Sequence, residues 1–429
     1  MFRYLWLRPR LISLNHSSIC RNTRLLCRAA HTQIHRTASP EDFPRIDSSL
    51  LIEEETLPEY RSKDYYPVTI GQVFKNRYRV AAKLGYGSAS TVWLCKDQEG
   101  THEYVAMKIY INCSKVHREL PIYEHINSVK CEHPGRDRVR ALLDSFEVSG
   151  PYGKHICLIH QPMGMSLEEM RSLIDAKVID DYILRWVFRA VHLGMKFLHE
   201  EAGIIHTDLQ PNNILLGMHD SAILVDVARN EVEKPSPRKL LEDRTIYLSR
   251  LLRITHGTPC ISDLSEARFG NATHTDLVMP NVYRAPEVIL GMPWSYPIDV
   301  WSFGMSLWDL FEPARLFGKA GVDGKYSKEH HLAQMVAVIG PPPPDFLKRS
   351  DECMRFWDPD GNWIGKVAIP QMTLDGLEQR LEHEDKARFL SLMRKLLRWK
   401  PEDRPSWEEL SRDDWLTADL IKSGEVVRE

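Results

Sequence analysis

The segment from His206 to Leu215, which reads HTDLQPNNIL, constrains the fold of this chain more than any other. It places Asp208 and Asn213 five positions apart. In phosphoryl transfer, an Asp at the first position accepts or orients the proton of an attacking hydroxyl, and an Asn at the second ligates the Mg²⁺ that neutralises the phosphates. The pattern therefore predicts a catalytic loop, with Asp208 as the base and Asn213 as a metal ligand.

Upstream of this loop, residues 77–107 contain alternating and β-branched stretches that predict short antiparallel strands. The first two strands enclose Gly85 and Gly87, and Lys108 follows on a strand 23 residues after Gly85. Glycines let the backbone approach phosphates without a clash from Cβ, and a lysine that returns beneath such a loop can bind the α- and β-phosphates. This combination predicts an ATP site.

The lysine needs a carboxylate that holds its ammonium group in place. Glu119 is the preferred partner because the apolar residues after it are spaced for a helix packed on the sheet, and Glu124 is the alternative. An apolar strand later ends at His160, where a hinge is expected to present backbone groups to the adenine edge. The residues assigned to the nucleotide are Leu84, Gly85, Tyr86, Gly87, Val92, Ala106, Lys108, Glu119, Gln161, Met163 and Leu215.

The next expected metal ligand is Asp263, which lies 55 residues after Asp208. Because this interval is unusually long, residues 217–256 are interpreted as an inserted loop. Leu264 and Ser265 stand where Phe and Gly are usual. Since the carboxylate supplies the chelation, Asp263 is predicted to bind Mg²⁺, and Ser265 is predicted to affect backbone motion more than metal binding.

Motifs downstream of Asp263 complete the pattern. Glu287 and Arg404 are predicted to form a buried ion pair, and Asp299, on a large helix, is predicted to anchor the catalytic loop. Strands before the loop and helices after it predict an α+β fold of two lobes, the first a small antiparallel β-sheet with one helix and the second mainly helical. The lobes are assigned to residues 71–163, including the hinge, and to 164–420, after an extended lead-in at 41–70.

Composition indicates one large soluble unit with a distinct N-terminus. The 429 residues are 43% hydrophobic, and no run of 18 apolar residues suggests a membrane span. Residues 1–40 carry seven Arg and no Lys, Asp or Glu, which is typical of a mitochondrial transit peptide; the alternative is a basic tail on a protein of the cytoplasm and nucleus. Without these seven Arg the net charge falls from −3 to −10, which argues against direct nucleic-acid binding and is compatible with basic peptide partners.

Cysteine and histidine patterns indicate no metal or disulfide chemistry. The eight cysteines are scattered without a CxxC pair, so neither a zinc site nor a disulfide scaffold is expected. The adjacent His330 and His331 are expected on an exposed helix.

Residues from about 60 to 420 resemble a eukaryotic protein kinase, and within that superfamily the SR-protein kinases, especially divergent fungal members. The similarity to the SR-protein kinases lies in YYPVTIG at 65–71, STVWL at 90–94, the His-Thr-Asp form of the loop, the long interval before Asp263, and YRAPEVILGMPW at 283–294. The resemblance implies a serine/threonine kinase that uses ATP and Mg²⁺ to phosphorylate Arg/Ser-rich proteins, with splicing regulation as the usual process. A monomer is expected.

Two residues of the catalytic loop depart from the usual pattern. Thr207 replaces an Arg that pairs with an activation-loop phosphate, so activity is predicted not to depend on phosphorylation of Thr273 or Thr275. Gln210 replaces a catalytic Lys; its amide can still bind the γ-phosphate but lacks the charge, so slower turnover is predicted. An ATP-binding pseudokinase or scaffold is the alternative.

Two acidic groups bear on substrate choice. Glu168 and Glu169 follow the hinge, and residues 382–385 contain three further carboxylates. They either attract Arg side chains of a substrate or form solvated helix faces.

Overall fold

The first lobe is built on an antiparallel sheet. The chain is described by a computed structural model that covers residues 43–100, 102–112, 118–253, 255–318 and 325–424, so the predicted transit peptide lies outside the described residues. The strands are β1 (Val73–Phe74), β2 (Tyr78–Gly87), β3 (Ser90–Asp97), β4 (Tyr104–Tyr110), β5 (Leu142–Gly150) and β6 (Gly153–His160). They form one sheet in the order β1-β2-β3-β4-β6-β5.

The register of this sheet gathers the residues predicted to bind the nucleotide. Val92 lies opposite Lys108, and Ala106 lies opposite His160. Because directly paired residues share a face of a sheet and residues two apart do too, all four belong to the same face. Among the described residues of this lobe, one α-helix, α1 (Glu119–Ser128), packs on the sheet and buries Ile122, Tyr123 and Ile126.

The second lobe is mainly helical. Its elements include α2 (Leu167–Ser172), α3 (Asp181–Lys196), α4 (Ala222–Glu233), α5 (Pro286–Ile289), α6 (Pro297–Phe311), α7 (Lys328–Ile339), α8 (Pro344–Leu347), α9 (Leu374–Leu377), α10 (His383–Leu396), α11 (Trp407–Leu410) and α12 (Ala418–Lys422). Every residue of α6 from Ile298 to Phe311 is buried, so this helix forms the centre of the lobe. The α+β bilobal prediction is confirmed.

Short strand pairs position the catalytic loop between the lobes. They are formed by β7 (Ile204–Ile205), β8 (Ile214–Gly217), β11 (Gly257–Ile261) and β12 (Arg268–Phe269), with β7 paired to β12 and β8 paired to β11. The catalytic loop runs from β7 to β8, and Asp263 follows β11 after one intervening residue, Ser262. The two pairs therefore bring Asp208, Asn213 and Asp263 to one region, although Asp263 is distant in sequence.

The interpretation of residues 217–256 as a loop is wrong. The segment contains α4 and a hairpin of β9 (Arg238–Leu240) and β10 (Thr245–Tyr247). Leu224 and Val227 of α4 pack against Ala82 and Leu94 of the first lobe. Tyr247 meets Trp93 edge-on, with ring centroids 5.8 Å apart. The insertion thus leaves the second lobe and packs on the first.

The lead-in, described from residue 43, lies against both the insertion and the sheet. Ile46 donates to the backbone carbonyl of Arg238, and the Arg238 amide donates to that of Pro44, each at 3.0 Å. The buried Lys83 of β2 forms ion pairs with Glu53 and Glu54 of the lead-in. The lead-in is predicted to be extended, but it contains two short 3-10 helices, Glu53–Thr56 and Ser62–Asp64.

Two further findings concern helices. The expectation that both His330 and His331 are exposed is wrong for His331, whose residue is 1% exposed because α7 turns it toward Phe317 and Tyr326. Within the described ranges, no helix has the length and apolar character needed to cross a membrane.

Candidate active site

The central helix α6 anchors the catalytic loop. Asp299 of α6 is fully buried, and its carboxylate accepts hydrogen bonds from the amides of His206 (2.7 Å) and Thr207 (2.9 Å). Thr207 has a left-handed backbone with a φ of 65°, which is strained for a β-branched residue. The predicted anchoring role of Asp299 therefore has a direct structural basis, because the carboxylate fixes a turn that the chain would not favour alone.

Two amides orient the carboxylate of Asp208. Gln210 Nε2 donates to Oδ1 at 2.9 Å, and Asn213 Nδ2 donates to Oδ2 at 2.7 Å. Asn213 also donates to the backbone carbonyl of Asp208 at 2.8 Å. A carboxylate has about four lone-pair sites, so each oxygen retains capacity to accept a substrate hydroxyl. The residue predicted as the base is thus half-buried and held in one orientation.

Burial raises the pKa of Asp208, and the nearby negative charge of Asp263 adds to this effect, while His206 and the hydrogen bonds from Asn213 and Gln210 oppose it. A raised pKa makes the carboxylate a stronger base than an ordinary Asp. This direction suits a group that accepts a proton during the reaction.

The predicted nucleotide lysine lies between two carboxylates. Lys108 Nζ is 2.8 Å from Glu119 and 3.1 Å from Asp263. Burial alone would lower the pKa of Lys108, but the charges of Asp263 and Glu119 and their hydrogen bonds raise it above the ordinary value, so the side chain is a cation. Glu124, the alternative partner, is exposed on the other side of α1. The carboxylate that meets the lysine is Glu119.

Glu119 also binds the segment that carries Asp263. Its Oε1 accepts the backbone amide of Leu264 at 3.1 Å, and Tyr110 donates its hydroxyl to Oε2. Leu264 is fully buried in the core of the second lobe. One carboxylate therefore connects the lysine of the first lobe to the backbone beside the predicted metal ligand.

The donor set fits Mg²⁺, which prefers carboxylate and carbonyl oxygens. Burial would raise the pKa of Asp263, but Lys108 and hydrogen bonds from Ser265 outweigh it and lower the pKa well below the usual value, so this carboxylate is ionised. Asn213 directs Nδ2 toward Asp208, which turns Oδ1 away from that carboxylate. The adjacent Ser262 donates to the Asn213 carbonyl through both its amide (2.8 Å) and its hydroxyl (3.1 Å). The two predicted ligands are therefore connected through one residue.

The glycine-rich turn is held by a residue that the sequence did not single out. Tyr65 of the lead-in donates its hydroxyl to the carbonyls of Gly87 and Ser88, both at 3.0 Å. Tyr65 is 5% exposed. A Cβ at Gly85 or Gly87 would meet no atom within 4 Å, so the space in front of both glycines is open. Tyr65 lies in the YYPVTIG segment, and no local pattern reveals its contact, because the contact spans more than 20 residues.

The hinge follows His160, the residue at which the predicted apolar strand ends. His160 is buried, and its Nδ1 donates to the carbonyl of Ala141 at 3.0 Å. Burial lowers its pKa well below the ordinary value, so it is neutral. The carbonyl of Gln161 accepts from Arg140 through Nε at 3.2 Å and Nη2 at 3.1 Å. Met163 is buried, and the Gly164 amide donates to Leu216, next to the predicted adenine contact Leu215.

The segment after Asp263 is ordered by contacts that need no phosphate. Thr207 donates its hydroxyl to the Glu266 carbonyl at 2.6 Å. Farther along, Arg268 forms an ion pair with Asp276 at 2.7 Å, and His274 stacks on Trp294. Thr273 and Thr275, the predicted phosphorylation candidates, are exposed.

The predicted ion pair near the end of this segment is present. Arg404 forms two hydrogen bonds of 2.7 Å to the two oxygens of Glu287, and both side chains are buried. Arg404 also donates to the carbonyls of Pro297 and Arg398. The pair joins α5 and α6 to the chain that precedes α11.

The acidic residues considered for substrate binding have partners within their own helices. Glu168 pairs with Arg171 at 2.6 Å, and Glu169 caps α2 by accepting the Ser166 amide at 2.7 Å. In the second group, Glu384 and Asp385 approach Arg388. These contacts favour the helix-face interpretation for Glu168 and Glu169.

Comparison with known proteins gives a consistent result. A family model described as the protein kinase domain matches residues 78–416. A serine/threonine protein kinase of Aspergillus fumigatus is 40% identical over 388 residues, which cover 89% of this chain and 95% of that protein. The serine/threonine-protein kinase SRPK of Physarum polycephalum is 30% identical over 379 residues, covering 82% of this chain and 88% of the relative.

More distant matches agree. The dual specificity protein kinase CLK1 of Homo sapiens is 27% identical over 368 residues, covering 82% of this chain and 68% of that protein. A crystal structure of a kinase domain aligns with a TM-score of 0.64 at 22% identity, covering 82% of this chain and 99% of that one, and this likeness concerns the fold. The resemblance predicted from the motifs is confirmed, and this chain belongs to the protein kinase family.

Proposed function

We propose that this protein is an active serine/threonine protein kinase that transfers the γ-phosphate of Mg²⁺-ATP to a protein hydroxyl. The observation that carries the proposal is the pair of contacts from Lys108, to Glu119 and to Asp263, beside an Asp208 that two amides orient. A protein that only binds ATP needs the lysine and its carboxylates but has no need for an oriented base such as Asp208. The pseudokinase alternative is therefore not favoured.

Each residue of the site has a distinct role in phosphoryl transfer. Lys108 binds the α- and β-phosphates, with Glu119 holding its ammonium group. Asp263 and Asn213 would hold Mg²⁺, which when bound would neutralise the phosphates. Asp208 orients the substrate hydroxyl and accepts its proton as the oxygen attacks the γ-phosphorus. The bond from the γ-phosphorus to the bridging oxygen breaks, and ADP leaves. Gln210 supports Asp208 and reaches the γ-phosphate only as a neutral donor.

Basic, Arg/Ser-rich proteins are the substrates that we propose, and we propose that the enzyme acts as a monomer. Two points support this substrate class: the resemblance to SR-protein kinases, and the net charge, which is −3 with the seven N-terminal Arg and −10 without them. A negative field attracts cationic peptides over distances comparable to the Debye length. Because Glu168 and Glu169 are engaged in α2, the attraction is assigned to the overall field rather than to these two carboxylates.

The test is a phosphotransfer assay with the full chain, Mg²⁺-ATP and a peptide of Arg/Ser repeats. An Ala/Ser peptide of the same length is the matched substrate control, and Asp208→Asn is the matched protein control. We expect phosphoserine with the Arg/Ser peptide and a loss of at least about 100-fold in Asp208→Asn. If the wild type binds ATP but transfers phosphate no faster than Asp208→Asn, the scaffold alternative is correct.

The location of the protein is a separate proposal. Import into mitochondria follows if residues 1–40 act as a transit peptide, and residence in the cytoplasm and nucleus follows if they are a basic tail. Imaging of a C-terminal fluorescent fusion distinguishes the two, with a variant in which the seven Arg are replaced by Gln as the control. Loss of mitochondrial signal in that variant supports import, whereas an unchanged cytosolic signal in both refutes it.

A further inference from the structure

Arg140 lies at the inner end of the cleft between the lobes. It follows Val139, which pairs with Ile261 of β11, and its amide donates to the Ile261 carbonyl at 2.8 Å. The next residue, Ala141, accepts a hydrogen bond from the buried His160. The backbone of Arg140 is thus fixed between the strand that leads to Asp263 and the residue that precedes the hinge.

The side chain of Arg140 hydrogen-bonds to a backbone carbonyl of the hinge. Its Nε and Nη2 both donate to the Gln161 carbonyl, at 3.2 and 3.1 Å. A backbone carbonyl has two lone pairs, so two donors from one guanidinium engage both. This carbonyl belongs to Gln161, which is one of the two hinge residues predicted to bind the adenine edge.

The contacts of Arg140 place it beside the cleft. Its backbone binds Ile261, which lies two residues before Asp263, and its guanidinium binds the hinge at Gln161. Asp263 is one of the two carboxylates that contact Lys108. Arg140 therefore borders the same cleft as the phosphate-binding lysine, and its guanidinium remains a cation.

The consequence concerns the edge of the purine base. Adenine carries an amino group at C6, which is a donor and needs an acceptor such as the Gln161 carbonyl. Guanine carries an oxygen at C6, which is an acceptor, and arginine is the side chain that most often binds the O6 and N7 atoms of guanine. The relative affinity for adenine and guanine therefore differs between a site whose acceptor is occupied and that presents donors, and a site with a free carbonyl.

We propose that Arg140 sets the base specificity of this site, so that GTP binds comparably with ATP. Its guanidinium occupies the Gln161 carbonyl, which the 6-amino group of adenine would otherwise use, and it offers donors to a 6-oxo purine. The inference rests on the proposed function, because it assumes that a nucleoside triphosphate occupies this cleft. Arg140 is a specificity-determining residue, not a group that contacts the reacting phosphate.

The experiment measures equilibrium binding of Mg²⁺ complexes of non-hydrolysable ATP and GTP analogues to the full chain by calorimetry. For the wild type, we expect the two Kd values to agree within about threefold. In Arg140→Met, which keeps an unbranched side chain but has no donor, the hinge carbonyl is released, and we expect ATP to be favoured over GTP by about tenfold or more. Arg79→Met, at an exposed arginine of β2, is the matched control and should keep the wild-type ratio.

The ratio of the two Kd values is the deciding quantity, because both nucleotides are measured on one preparation and an unfolded fraction cancels. If Arg140→Met is too unstable to purify, Arg140→Lys, which has no planar fork, should still shift the ratio toward ATP. The inference is overturned if the wild type already prefers ATP by tenfold or more, or if the ratio is the same in wild type and variant. A wild type that binds both nucleotides but transfers phosphate no faster than Asp208→Asn would refute the proposed activity alone, and absence of any nucleotide binding by the wild type would refute both proposals.

Discussion

Replacing Gln210 by Lys should raise the turnover of this enzyme. Gln210 Nε2 lies 2.9 Å from Asp208 Oδ1, and the lysine side chain is one bond longer, so an ammonium group at this position can keep that contact and approach the γ-phosphate. A neutral hydrogen bond contributes about 1 kcal/mol, and one from a charged donor contributes about 2 kcal/mol. The difference of about 1 kcal/mol in the transition state corresponds to about a fivefold rise in kcat.

The assay is steady-state phosphorylation of the Arg/Ser peptide by full-length wild type, Gln210→Lys and Gln210→Met. The methionine variant is the control, because it preserves length and removes both donors, and it should have a lower kcat than the wild type. The reasoning is refuted if Gln210→Lys is folded, binds ATP as well as the wild type, and has a kcat equal to or below that of the wild type.

The same variants make a prediction about pH. Since burial raises the pKa of Asp208 and only its ionised form accepts a proton, kcat/KM should fall on acidification at a pH above the ordinary pKa of an Asp. The added charge in Gln210→Lys stabilises the carboxylate and should move this acidic limb to lower pH. Gln210→Met removes a hydrogen bond to the charged form and should move the limb to higher pH. Limbs that coincide in all three proteins would show that Asp208 is not the titrating group.

Three further outcomes are expected. Replacing both Thr273 and Thr275 by Ala should leave kcat within about twofold of the wild type, because Thr207 holds this segment without a phosphate; a loss of about tenfold or more would contradict this. Arg404→Leu leaves the buried Glu287 unpaired and should lower the free energy of unfolding by roughly 3 to 5 kcal/mol in chemical denaturation, while the wild-type value would show that the pair is not coupled to folding. Tyr65→Phe should raise the KM for ATP a few-fold with little change in kcat, as judged by initial rates; an unchanged KM would remove Tyr65 from the nucleotide site.

The sequence was sufficient for the parts of the site that carry their own chemistry. Lys108, Asp208 and Asp263 belong to segments whose spacing and residue types are rare together, so their convergence followed from the order of the motifs. The strand pattern also predicted the sheet, since alternation reports directly on a half-buried face. Glu119 was distinguishable from Glu124 because helical spacing decides which side of α1 faces the sheet.

The parts that escaped prediction depend on contacts between distant segments. The insertion has no internal pattern stronger than a loop, and its order depends on partners in the lead-in and on the sheet, such as Pro44, which accepts from Arg238, and Trp93, which contacts Tyr247. Arg140 is one of several arginines between residues 136 and 140, and only the tertiary structure shows which of them turns into the cleft. Tyr65 is likewise recognised only from the contact that it makes with the glycine-rich turn.

The pairing of the lead-in with Arg238 also limits how far the N-terminus can be processed. Arg238 binds Pro44 and Ile46 through its backbone, and its guanidinium lies 4.4 Å from the centre of the Phe43 ring. If residues 1–40 are a transit peptide, as proposed, a peptidase that cuts before Phe43 would leave these contacts intact. A cut after Ile46 would leave the Arg238 backbone without its partners at one edge of a hairpin. If the N-terminus is processed as proposed, these folded contacts require the mature chain to begin no later than Phe43.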